Sequence, residues 1–139
     1  MNFIAFKSWL NENQNINIDG FKVPINIVKK EDWAEGKKDP TEFDADHDVV
    51  RVREDYDYKK DPTGWMRHEM MHYKLHHTDG WKDDGKEYPY NSTEAKAYTH
   101  QFKHLQKKGY KSYKDVPGFD KSDEYDNILN KYWNNASKK

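Results

Sequence analysis

The sequence contains no cysteine in its 139 residues. That excludes a disulfide framework and any thiolate metal site, so a metal bound by this chain must be held by histidine and carboxylate. Arginine is scarce, confined to Arg51, Arg53 and Arg67. No apolar stretch approaches the length of a membrane span, and the opening MNFIAFKSWLNENQ is too short and too polar for a signal sequence. A soluble, cytoplasmic product is the expectation. Neither sign of charge dominates, since 24 Lys and Arg face 25 Asp and Glu. No electrostatic footprint for nucleic acid or an anionic membrane results, and neither is expected as a partner.

Apolar residues make up only 34% of the chain, but five Trp, ten Tyr and six Phe supply large side chains for a core. The length suits one domain over residues 1–139, and a monomer is expected. Lys- and Asn-rich usage gives the chain the look of a phage or mobile-element product.

Apolar spacing predicts a short amphipathic helix over residues 2–10, ended by the polar run 11–17. Residues 21–28, FKVPINIV, alternate with the period of a half-buried strand, and Pro24 pushes it toward a sheet edge. Residues 29–48 read as an irregular connection with one helical turn at 31–35. A second strand is predicted over 48–54, with Val50 and Val52 on one face and Val49, Arg51 and Arg53 on the other. Turn residues Asp61 to Gly64 follow, with Thr63 as N-cap of a helix over 64–77. A loop or short hairpin is expected over 81–90. Asn91 and Ser92 then offer caps for a second helix closed by Gly109, with Ala95, Tyr98, Phe102 and Leu105 as its apolar series. A last helix over 122–133 has Ile128, Leu129, Tyr132 and Trp133 on its apolar side.

The chemistry concentrates in His68-Glu69-Met70-Met71-His72, an H-E-x-x-H pattern lying where capping and periodicity independently predict a helix. Residues four apart project from one helical face, so two imidazoles can grip one cation. Zinc bound this way leaves corners for a third protein ligand and a water, and lowers the pKa of that water to about 7. Glu69 is the candidate general base. Glu94, at the start of the next helix, is the chosen third ligand. His100 and His104 are alternatives for it. Tyr98, one turn after Glu94, is the candidate hydroxyl for orienting a ligand or stabilising an oxyanion. His76 and His77 suit the helix C-terminal dipole, and His47 is a loop residue with no informative partner.

With HEMMH on one helix and a glutamate in STEAKAY on the next, the chain resembles the zincin superfamily, in particular the minimal gluzincins, across roughly residues 48–109. It departs from the common gluzincin pattern at Thr93 and Tyr98. The resemblance implies an α+β, zincin-like fold: a small twisted sheet of about three strands on an active-site helix, a glutamate-bearing helix and a C-terminal helix. It also implies an edge strand above the zinc that binds an extended peptide, with residues 49–53 near it. A second resemblance is to the SprT-like group, through HExxH and the loop TDGWKDDG. Those proteins use a third histidine, and none occurs between His77 and His100. The expected function is thus a zinc-dependent peptidase acting on a protein or peptide. The alternative is an inactive interaction module on the same frame, with a structural or absent metal.

Overall fold

A strand turns successive side chains to opposite faces. In the computed structural model, which describes residues 13–18, 20–33, 39–78, 85–119 and 123–138, the alternation over 21–28 buries Val23 and Ile25 completely. This strand is the second of four: β1 (Asn13–Ile18), β2 (Phe21–Val28), β3 (Thr41–Asp44) and β4 (Val49–Arg53). They form one mixed sheet in the order β1-β2-β4-β3. β1 and β2 are antiparallel, β2 and β4 parallel with Ile25 opposite Val50, and β3 and β4 antiparallel with Thr41 opposite Val52. The fold is α+β, with four strands where about three were expected.

The two strands with no predicted residue range lie in segments whose sequence argued against them. β1 falls mostly in the polar run 11–17, with Ile16 and, just beyond the run, Ile18 alternating toward the core. β3 falls in the supposedly irregular connection and, at four residues, is too short to display a period. A 3-10 turn over Lys30–Asp32 overlaps the helical turn expected at 31–35, of which residues 34 and 35 lie outside the described residues. β2 is interior, not an edge. Pro24 has β1 on one side, opposite Asn15, but the pairing with β4 begins only at Ile25, so its missing N–H costs the ladder nothing there. The helix expected over 2–10 and the loop residues 79–84 lie outside the described residues.

Among the described residues there are three α-helices, α1 (Trp65–His76), α2 (Ser92–Lys107) and α3 (Asp126–Ala136); α1 packs on the sheet, α2 on α1 and α3 on α2. Residue 122, the expected start of the last helix, is outside the described residues. α1 joins two apolar clusters. Met66 and Met70 pack with Val23, Ile25, Val50 and Val52 of the sheet, while Trp65 joins Tyr98, Phe102, Leu129 and Trp133 of α2 and α3. Residues 66 and 70 are one turn apart on one face, and 65 turns about 100° from 66, so a single helix serves both layers. No helix among the described residues is long and apolar enough to cross a membrane.

The start of α1 is fixed by a residue other than the expected one. Thr63 does not cap it; Gly64 is the N-cap, and the fully buried Asp61 carboxylate accepts the N–H groups of Met66 (2.9 Å) and Arg67 (3.0 Å). The Arg67 guanidinium also reaches Asp61, at 3.1 Å, and Tyr56 donates its hydroxyl to the same carboxylate. A buried charge is tolerable only when neutralised and hydrogen-bonded, and the helix N-terminus and Arg67 supply both. Gly64 has φ +75, and a Cβ there would lie 2.8 Å from Cγ of Gln101. Glycine thus permits both the turn and the close approach of α1 to α2.

Candidate metal centre

Helical periodicity puts His68 and His72 on the face of α1 that turns to α2, while Glu69 turns toward β3; all three are buried. On α2, Asn91 is the cap that forms, its Oδ1 accepting the Glu94 N–H at 2.8 Å. This leaves the Glu94 carboxylate, in the first turn, free to extend to α1. It contacts both imidazoles: Oε1 lies 3.3 Å from Nε2 of His68 and is in direct contact with Nε2 of His72. The two Nε2 atoms are themselves 3.3 Å apart. His100 and His104, the alternative third ligands, are elsewhere. His104 faces Arg67 and the Asp61 carbonyl, and His100 lines a separate groove with Met71 and Lys96.

These spacings test the fit of a metal. Four ligands at about 2.0–2.1 Å from a tetrahedral ion lie about 3.3–3.4 Å from one another. The His68–His72 and His68–Glu94 separations match that edge, while His72 and Glu94 stand in closer contact and would have to part to admit an ion; two imidazoles with one carboxylate are a donor set that zinc accepts. Electrostatics agree. Burial opposes a charge on His68, yet Glu94 and Glu69 outweigh it and raise its pKa. Burial likewise opposes ionisation of Glu94, but His68 and His72 hold its carboxyl below the usual carboxylate range. The cluster attracts positive charge, which a proton or a divalent cation can satisfy.

The orientation of His68 is set from behind. Its Nδ1 lies 2.9 Å from Oε1 of Gln101, whose amide nitrogen donates to the Thr63 carbonyl at 2.9 Å. A carbonyl can only accept, so that bond fixes which end of the Gln101 amide faces His68. The Gln101 oxygen then accepts from Nδ1–H, and the lone pair of His68 is left on Nε2, toward Glu94 and His72. Sequence reasoning missed Gln101, although a polar residue between Tyr98 and Phe102 in the buried stripe of α2 was a legible signal.

Glu69 is held by the edge strand. Thr41 Oγ1 of β3 lies 3.0 Å from Glu69 Oε2. Burial raises the pKa of the Glu69 carboxyl, with His68, His72 and the Thr41 hydrogen bond pulling the other way. A carboxyl displaced upward in this manner is a stronger base than an ordinary exposed carboxylate. Thr41 could not be found from sequence, because its strand was not.

Tyr98 occupies a different place from the one its spacing suggested. It has no exposed surface, its ring lies edge-on to His68 at 4.4 Å between centroids, and its hydroxyl contacts that of Tyr88. Tyr98 therefore meets the site through its ring and reaches the cleft only by way of Tyr88. Tyr88, 41% exposed, lines the cleft itself. The cleft encloses about 380 Å³ above His68, Glu69, His72 and Glu94, with Thr41 and Phe43 of β3 along one wall. Residues 49–53, expected near the substrate strand, are the interior β4, and the edge beside the cluster is β3. A larger cleft, about 690 Å³, lies on the sheet face turned away from the helices, between Gln14, Asn26 and Arg51, apart from the His–Glu cluster.

No protein family, curated protein or solved structure matches the chain.

Proposed function

We propose that this chain is a zinc-dependent peptidase of zincin type, with His68, His72 and Glu94 as metal ligands and Glu69 as general base. The observation that carries this reading is the convergence of His68 Nε2, His72 Nε2 and Glu94 Oε1, all within 4.8 Å of one another, beside a buried carboxylate in a cleft. A zinc ion held there supplies Lewis acidity, which activates water and polarises a peptide carbonyl. Glu69 takes the proton from the attacking water and returns it to the leaving nitrogen as the C–N bond breaks, so that water is divided between the new carboxylate and amine. Thr41 keeps the Glu69 carboxylate oriented. The Tyr88 hydroxyl, in contact with that of Tyr98 on the cleft wall, is our choice of donor to developing negative charge on the substrate oxygen.

The arrangement of the sheet supports a zincin-like fold. Among the described strands β3 is an antiparallel edge strand against a parallel β2–β4 pair, and its Thr41, Glu42 and Phe43 line the cleft beside the cluster. Added-strand pairing there fits a protein or peptide substrate.

The test couples zinc content to cleavage of an unfolded protein such as casein. Glu69→Gln should retain zinc and lose cleavage, whereas His72→Ala should lose both. Undiminished cleavage by the Glu69→Gln protein, or an unaltered protein that takes up no zinc, would overturn the assignment.

A further inference from the structure

One turn beyond His72, helix α1 ends in two more histidines. His76 is its last residue, and His77 is the C-cap, out of helical conformation at φ -95, ψ 6. Consecutive residues on a helix diverge by about 100°, but the departure of His77 lets its imidazole swing toward that of His76. Both reach Asp48, in the turn between β3 and β4. One donor atom from each of Asp48, His76 and His77 lies within 4.8 Å of the others, and His77 Nε2 is 2.5 Å from Asp48 Oδ1.

The turn that carries Asp48 is tied by side-chain bonds of Asp44. Asp44 accepts the His47 N–H at 3.1 Å and pairs with Arg51 at 2.5 Å, and Asp48 itself adopts φ +55. Asp48 thus comes from a tied turn, and the two imidazoles come from the C-terminal end of a helix, where the helix dipole places partial negative charge. The geometry points to a second divalent-cation site, formed by Asp48, His76 and His77 and distinct from the His68–His72–Glu94 cluster. Two imidazoles and a carboxylate are a donor set for zinc and its neighbours in the transition series, not for magnesium or calcium. The ion would replace the direct His77–Asp48 contact, parting those atoms to about 3.3 Å, a small movement for side chains that are 42% and 44% exposed. Exposure leaves further coordination positions to water, so this site binds more weakly than the buried one.

Its consequence is mechanical. A cation here cross-links the C-terminus of α1 to the β3–β4 turn. His76 also packs edge-on against Phe43 of β3, with centroids 5.5 Å apart, and Phe43 lines the cleft. Occupancy thus steadies the wall of the cleft opposite α2.

The experiment is a zinc titration of metal-stripped full-length protein against a chromophoric chelator, with thermal unfolding recorded in parallel. The unaltered chain should take two equivalents, one tight and one weaker, and the weaker one should raise the unfolding temperature. Asp48→Asn combined with His77→Gln should take only the tight equivalent, and His76→Gln alone should weaken the second at least tenfold. His68→Ala combined with His72→Ala should keep the weaker equivalent, which separates this proposal from the fate of the peptidase reading. A single equivalent in the unaltered protein that vanishes with His72→Ala, or two equivalents persisting in the Asp48/His77 variant, would show that Asp48 and His77 form an ion pair and nothing more.

Discussion

Gln101 accepts a hydrogen bond from Nδ1 of His68 at 2.9 Å, and this contact between two buried side chains on different helices decides which nitrogen of His68 faces the cluster. Gln101→Leu removes the acceptor and leaves both the Thr63 carbonyl and the His68 N–H unsatisfied. We expect zinc affinity to fall about 10- to 100-fold and stability to fall by about 1–3 kcal/mol. Chelator competition and urea unfolding of the same variant measure the two effects separately. Unchanged zinc affinity would mean that Gln101 does not orient the ligand.

Gly64→Ala combines a strained φ with a Cβ pressed on Gln101 Cγ and the Gln101 carbonyl. The expected cost is about 1–3 kcal/mol, read as a lower urea midpoint. Gly20→Ala, at a similar φ of +84 but with nothing within 4 Å of the added Cβ, should cost less. Equal losses would attribute the whole effect to backbone strain and none to the helix contact.

Asp61→Ala strips the cap from α1 and leaves Arg67, whose side chain is 15% exposed, without its carboxylate. Removing one partner of a buried pair typically costs about 3–5 kcal/mol. Circular dichroism and denaturant unfolding should show a strongly destabilised protein. Thr63→Ala, at the position that sequence favoured as cap, should cost less than Asp61→Ala.

Burial and the neighbouring Arg67 charge lower the pKa of His104 below its ordinary value. The unfolded chain therefore binds a proton on this residue at a higher pH than the folded one. Its contribution to stability is complete above about pH 6.5 and declines as pH falls through the interval down to the folded-state value. His104→Gln should flatten that part of the profile. Urea midpoints of both proteins between neutral and mildly acidic pH, in chelator, provide the comparison, and parallel profiles would remove His104 from the acid response.

Tyr88 and Tyr98 share a hydroxyl contact but differ in access. Tyr88→Phe should lower kcat about 10²-fold with little change in KM, the signature of a donor acting mainly in the transition state. Tyr98→Phe should cost about 1 kcal/mol of stability and lower kcat less. The reverse ranking would return the catalytic hydroxyl to Tyr98.

Local pattern was enough for the elements with a clear period. The three α-helices, the strand 21–28 and the faces of the strand at 49–53 could be read from sequence because each repeats its apolar residues at 3.6 or 2 positions. The His68–Glu69–His72 arrangement was legible for the same reason, since spacing along one helix fixes which side chains share a face. The convergence of Glu94 on that pair was a choice among alternatives, because sequence order says nothing about how two helices cross. Only the tertiary structure decided the strands β1 and β3, the cap by Asp61, the hold of Gln101 on His68 and of Thr41 on Glu69, and the burial of Tyr98 behind Tyr88. Each of these joins residues that local periodicity does not connect, and their energies arise from burial and desolvated hydrogen bonds that exist only once the layers have packed.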